Sequence, residues 1–235
     1  MTVAAVLFDL DRTLLDRDGA VLAYARWLWQ NAGDPMSEAG HAFVSRFVEL
    51  DARGCTDKHV YFRQLKSEFR LAIELQQMLD RFEAIFPSTV RPFEDALPLL
   101  RLLRTAGVRC GVVTNGHSKG QRQKLERSGF LPFMDTIAIS EELGISKPDP
   151  TIFQHALAKL DCQASSAIFL GDSEEADIKG AKNVGMRAVL RRHPGESFPT
   201  IAEFEVEDLA EVWTIVATCK GIEIDRRRPS HGVSA

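Results

Sequence analysis

Residues Val3-Ala4-Ala5-Val6-Leu7-Phe8 form a short apolar run that stops abruptly at Asp9. Such a run is too short for a buried helix and lacks the alternation of a half-exposed strand. It reads as a strand covered on both faces, the environment of a parallel sheet. The form recurs. Val108 to Val113 stops at Thr114-Asn115-Gly116, and Ala167-Ile168-Phe169-Leu170 stops at Gly171-Asp172-Ser173. Thr136 to Ile139 and Ala188-Val189-Leu190 are weaker versions of the same signal.

Helical patterns lie between the runs. Leu97, Leu100 and Leu103 recur at helical spacing, with Gly107 placed to end their helix. A polar segment from Ser118 to Ser128 ends at Gly129. Asp149-Pro150 has the form of an N-cap followed by an N1 proline, opening a helix with Phe153, Ala156, Leu157 and Leu160 on one side. Ile178, Ala181 and Val184 precede Gly185 in a further helix. Strands alternating with helices imply an α/β fold with a doubly wound parallel sheet.

One stretch breaks the alternation. Residues 16–90 contain no buried strand pattern, but Val21, Ala25 and Leu28 share a helical face, as do Phe43, Phe47 and Leu50. Phe62, Leu65 and Phe69, and then Leu75, Leu79, Phe82 and Phe86, complete a set of four amphipathic stretches. Gly33-Asp34-Pro35 and Gly54 punctuate them. The chain thus reads as a sheet domain over residues 1–15 and 91–220, an inserted helical domain over 16–90, and a tail over 221–235. The length of 235 residues suits one core with one insertion, against roughly 100–200 residues per domain.

Composition narrows the partners. The formal net charge of −4 is opposite to the basic footprint of a nucleic-acid coat, and the run Arg226-Arg227-Arg228 sits in the tail. No stretch approaches the ~18 apolar residues of a membrane span, and the N-terminus lacks the basic and long apolar regions of a secretory signal. Cys55, Cys110, Cys162 and Cys219 are too scattered for a zinc site or a disulfide framework. The expectation is a cytoplasmic protein with reduced thiols, binding neither nucleic acid nor membrane, and a monomer or homodimer.

Ligands of open α/β sheets bind at the carboxyl ends of the strands. Here those ends carry Asp9 and Asp11, then Thr114 and Asn115, then Asp172 and Asp177, with Lys147 in a loop. If the strands are parallel, these groups converge although they span more than 160 residues. Clustered carboxylates with no nearby His or Cys suit Mg²⁺ rather than zinc. The lysine, the hydroxyl and the backbone N–H groups of Asn115-Gly116 suit an anion beside it. The implied ligand is a phosphate. Each group taken alone has a plainer reading, with Asp9 as a helix cap, Thr114 as another and Lys147 as surface; the set in this order does not.

Four motifs carry a resemblance: Asp9-Leu10-Asp11-Arg12-Thr13-Leu14, Val113-Thr114-Asn115-Gly116, Ser146-Lys147-Pro148-Asp149, and Gly171-Asp172-Ser173 continuing to Asp177. Together they resemble the haloacid dehalogenase-like (HAD) hydrolase superfamily, in particular phosphatases with a helical cap inserted after the first motif. Arg12 departs from the glycine that many members carry there. The resemblance implies a Rossmann-like core and a Mg²⁺-dependent phosphomonoesterase for a small phosphate ester. It further implies Asp9 as nucleophile through an aspartyl-phosphate and Asp11 as general acid and base. Thr114, Asn115 and Lys147 would bind phosphate, with Lys147 also serving catalysis. Asp9, the Asp11 carbonyl, Asp172 and Asp177 would hold the metal.

Two other readings compete with a phosphatase. The 2-haloacid dehalogenases of the same superfamily use the first aspartate but normally replace the second, which is present here as Asp11. A non-catalytic phospho-accepting regulator would share the Asp, Thr, Lys and Mg²⁺ set, but receiver domains of that kind are about half this length. Specificity is expected to lie in the cap, with Arg26, Arg53, Lys58, His59 and Arg63 as candidate contacts, while Trp27, Trp29 and Tyr61 read as cap core. The stretches Leu125 to Gly129 and Ser140 to Asp149 look like pyrimidine-type 5′-nucleotidases of the superfamily, making a nucleoside 5′-monophosphate one candidate substrate.

Overall fold

The computed structural model describes residues 3–34 and 37–222. The tail from residue 223, with its arginine run, lies outside the described residues. The chain divides into two compact units, Met1–Leu15 with Pro92–Ala235, and Asp16–Arg91.

In chain order, β1 (Ala5–Phe8) is followed by a short β2 (Leu15–Asp16), helices α1 (Arg17–Ala32), α2 (Gly40–Asp51), α3 (Lys58–Glu68) and α4 (Leu75–Thr89), and a short β3 (Arg91–Pro92). The remainder runs α5 (Ala96–Thr105), β4 (Arg109–Thr114), α6 (Ser118–Arg127), β5 (Thr136–Ile139), α7 (Ser140–Leu143) and α8 (Pro150–Lys159). Then follow β6 (Ala167–Gly171), a π-helical turn (Glu174–Lys179), α9 (Gly180–Asn183), β7 (Arg187–Arg191), β8 (Phe204–Val206) and α10 (Leu209–Lys220).

The first unit is built on a six-stranded sheet ordered β5-β4-β1-β6-β7-β8, with every neighbouring pair parallel. β1 is buried at every position and lies between β4 and β6, with Phe8 opposite both Val112 and Leu170. The runs at β1, β4, β6 and β7 are therefore inner strands, shielded as their composition requires, while the weaker run at β5 is an edge strand. On one face Ile152, Phe153, Ala156, Leu157 and Leu160 pack with Phe169, Ile178 and Ala181. α8 begins as its residues dictate: the Asp149 carboxylate accepts from Thr151 N–H at 2.8 Å and Pro150 occupies the first turn. In α5 the buried face is Ala96, Leu99, Leu100 and Leu103, which includes the expected Leu100 and Leu103 and leaves Leu97 half-buried. β8 and α10 extend the core beyond the elements expected from the sequence; β8 is an edge strand with two of its three residues exposed.

The second unit contains the four helices α1–α4 around an aromatic core. Tyr24, Phe43, Phe47, Tyr61 and Phe62 are fully buried, and Trp29 is buried with them while Trp27 is half-buried. Tyr24 meets Phe82 edge-on at 5.0 Å, and Phe43 meets Phe69 likewise at 5.1 Å. Within this core Arg17 forms a two-pronged ion pair with Asp51, at 2.6 and 2.9 Å. Arg26, Arg53, His59 and Arg63 are exposed, and Lys58 rests its ammonium 5.5 Å from the Phe82 ring centroid. Among the described residues no helix is long and apolar enough to cross a membrane.

Candidate active site

Parallel strands point their carboxyl ends the same way, so residues just past β1, β4 and β6 meet. Asp9 N–H continues the ladder to Leu170 O at 2.9 Å, which fixes its backbone beside β6. Its carboxylate is buried and takes Lys147 Nζ on Oδ1 at 2.6 Å and Thr13 Oγ1 on Oδ2 at 3.2 Å. Lys147 also donates to Asp177 Oδ1 at 2.7 Å, so a single buried ammonium bridges two buried carboxylates. Asp177 is held in turn by Ser173 N–H on Oδ2 at 3.0 Å. Gly171 makes this possible, because a Cβ there would lie 2.4 Å from the Asp177 side chain.

Asp172 completes the carboxylate group and receives Arg12 Nε on Oδ2 at 2.7 Å. One oxygen each of Asp9, Asp172 and Asp177 lies within 4.8 Å of the others. The Asp11 carboxylate is near enough to Asp9 to act on it electrostatically, and it accepts from Lys124 Nζ at 2.6 Å. Lys124 donates also to Gln121 Oε1 at 2.8 Å, and Gln121 Nε2 donates to Thr114 Oγ1 at 2.5 Å. Since the Thr114 oxygen accepts from the amide, its own proton is directed to another acceptor, and the geometry to Asn115 O at 3.5 Å is too long to hold it well.

The Asn115 side chain clasps the Lys147 backbone, donating to its carbonyl at 3.0 Å and accepting from its N–H at 2.8 Å. It thereby places the lysine loop, and the Gly116 N–H expected beside an anion donates to Ser140 Oγ at 2.9 Å. Thr13, Gln121, Lys124, Arg12 and Glu196 belong to the same network but were not singled out for roles in the sequence. Gln121 and Lys124 lie three apart on one helix face and both are buried, which nothing in their polar stretch of sequence marks. Glu196 carries no signal either, as it lies 184 residues from its partner Arg12.

The electrostatics follow from burial. Desolvation pushes the Asp9 carboxyl up to about 6, although Lys147 pulls the other way, and it pushes Asp172 up to about 6 against the pull of Arg12. Asp177 is raised for the same reason. Burial opposes the charge on Lys147, but Asp177 and Asp9 outweigh it and hold the ammonium above the ordinary lysine range. Three converging carboxylates that burial drives toward neutrality suit a divalent cation, which would keep them ionised at neutral pH.

The chain matches the haloacid dehalogenase-like hydrolase family over residues 6–190, a span holding all four strand-end motifs. The chain belongs to that family. As a HAD-like hydrolase it is 32% identical over 191 residues to a glyceraldehyde 3-phosphate phosphatase of Methanothermobacter thermautotrophicus, covering 79% of this chain and 84% of that one. It is also 32% identical to the pyrimidine 5′-nucleotidase YjjG of Escherichia coli strain K12, over 62% of each chain. Among solved structures, an HAD phosphatase from Thermococcus onnurineus superposes with a TM-score of 0.66 at 27% identity, over 92% of this chain and 98% of that one.

Cation and proton should compete at this HAD-like cluster. A carboxyl whose folded-state pKa stands near 6, above the ordinary 3.8, favours the folded state while protonated and loses that contribution as pH rises through about 6. Adding Mg²⁺ to protein stripped with EDTA is expected to raise the melting temperature more at pH 7 than at pH 5. Differential scanning calorimetry at the two pH values checks this; an equal or larger shift at pH 5 would contradict it.

Proposed function

We propose that this HAD-like hydrolase is a Mg²⁺-dependent phosphomonoesterase that acts on a small phosphorylated metabolite through an aspartyl-phosphate on Asp9. The observation that carries the reading is the seating of Asp9, a buried carboxylate at the end of the central strand, held by Lys147 at 2.6 Å and Thr13 at 3.2 Å. Its phosphatase relatives support the reaction class.

In the first step an Asp9 oxygen attacks phosphorus and the ester oxygen departs, taking a proton from Asp11. In the second, water attacks the same phosphorus while Asp11 takes its proton, releasing inorganic phosphate and restoring Asp9. Lys147 and the Thr114 hydroxyl stabilise charge on the phosphoryl oxygens. Asn115 fixes the lysine loop through its two hydrogen bonds. Gln121 orients the Thr114 hydroxyl, and Lys124 holds Asp11 in place. Asp9, Asp172 and the Asp11 carbonyl, with Asp177 in support, would hold Mg²⁺, which offsets the repulsion between a carboxylate nucleophile and an anionic ester.

The substrate is a small phosphate ester, with nucleoside 5′-monophosphates and triose phosphates the first to try, as relatives act on both kinds. Release of inorganic phosphate is measured across nucleoside monophosphates, sugar phosphates, phosphoserine and phosphoglycolate, with Mg²⁺ and with EDTA. Hydrolysis of at least one ester, abolished by EDTA and restored by Mg²⁺, is expected. Chloride release from a 2-haloacid with no phosphate released would place the chain among dehalogenases instead. A stable phosphoprotein without turnover would make it a regulator.

A further inference from the structure

Arg12 adopts φ = 64°, in the left-handed region that favours glycine. That conformation is unfavourable for an L-residue, so an arginine kept there points to work done by its side chain. The guanidinium is buried, at 5% exposure. Nε donates to Asp172 Oδ2 at 2.7 Å and Nη2 to Glu196 Oε1 at 2.5 Å. The loop after β7 folds around it: His193 Nε2 lies 2.8 Å from the Arg12 carbonyl, and His193 N–H donates to Glu196 Oε2 at 3.2 Å. Two carboxylates thus share one guanidinium, and one of them belongs to the converging group of Asp9, Asp172 and Asp177.

We propose that Arg12 competes with the divalent cation for Asp172, and that Glu196 draws the guanidinium aside, so that the Arg12–Glu196 pair sets the affinity of the metal site. The inference rests on the Mg²⁺-dependent reading above. Asp172 carries one negative charge, and an arginine on one of its oxygens neutralises much of it. A second cation entering the cluster is also repelled by that guanidinium, in a buried site where solvent screens little. Glu196 weakens both effects by offering Arg12 an alternative partner. Replacing Glu196 by a neutral amide shifts the guanidinium toward Asp172 and strengthens the competition.

Isothermal titration of Mg²⁺ alone into the wild-type protein, Arg12→Gly, Glu196→Gln and the double variant tests this without reference to turnover. Glycine accepts the left-handed backbone without strain, so Arg12→Gly keeps the local backbone conformation, and a melting curve of each variant checks that it is folded at the titration temperature. It is expected to bind Mg²⁺ about tenfold more tightly, the loss of roughly one charge-assisted contact competing for Asp172. Glu196→Gln is expected to bind severalfold more weakly than wild type. The double variant is expected to match Arg12→Gly, because on this proposal Glu196 influences Asp172 through the arginine and not through its contact with His193 N–H. Unchanged or weaker binding by Arg12→Gly, or a Glu196→Gln effect that persists without the arginine, overturns the inference while leaving the phosphatase reading standing. Absence of Mg²⁺ binding in all four proteins overturns the metal reading and the inference with it.

Discussion

Asp9→Asn should lower kcat by at least about a thousandfold, since it removes the proposed nucleophile and leaves an amide that cannot attack phosphorus. The exchange is nearly isosteric, and Lys147 keeps its second partner, Asp177. It also replaces a buried carboxyl already pushed up to about 6, so little folding free energy depends on its charge. The melting temperature is therefore expected within a few degrees of wild type. Acid-quenched wild-type protein incubated with substrate should carry one added phosphoryl group by mass spectrometry, and the variant none. Substantial turnover in a folded Asp9→Asn protein would remove Asp9 from the mechanism.

Lys147→Met should damage both chemistry and stability. The ammonium bridges Asp9 and Asp177 at 2.6 and 2.7 Å, and all three side chains are almost completely buried. Its loss leaves two carboxylates facing each other without the ammonium between them. Breaking a buried pair in this way costs about 3–5 kcal/mol, or about 10 °C in a domain of this size. The penalty depends on pH with a definite sign. Protonation relieves unpartnered carboxylates, so the drop in melting temperature is expected to be smaller at pH 5 than at pH 8. The kcat should fall at least about a hundredfold, because in the proposed mechanism this ammonium stabilises charge on the phosphoryl oxygens. Melting curves at both pH values and steady-state kinetics check the two effects; a wild-type melting temperature at pH 8 would show that the bridge carries no folding energy.

The strand-end motifs were legible because a parallel sheet imposes a simple rule. An apolar run buried on both faces has to end in a polar group at one edge of the sheet, so Asp9, Thr114 and Asp172 announce themselves in sequence. The helical face of residues 150–160 was equally plain, since Asp149 and Pro150 fix its start. On α5 the pattern gives Leu100 and Leu103 correctly but not the choice between Leu97 and Leu99, as both are apolar and only packing buries Leu99. Glu196 was not legible at all, because its partner is brought to it by the whole sheet order rather than by local spacing.

By itself the sequence determined the strand ends, the inserted helices and the kinds of side chain gathered for phosphate chemistry, because these follow from local periodicity and from residue type. The tertiary structure alone decided how those side chains divide their charges. It gave Lys147 to both Asp9 and Asp177, Asn115 to the lysine backbone, and Arg12 to Asp172 and Glu196. The physical reason is that hydrogen bonds and ion pairs act over about 3 Å, while these partners lie between 30 and 184 residues apart. Their pairing is set by strand order and loop path, which no local stretch of sequence records.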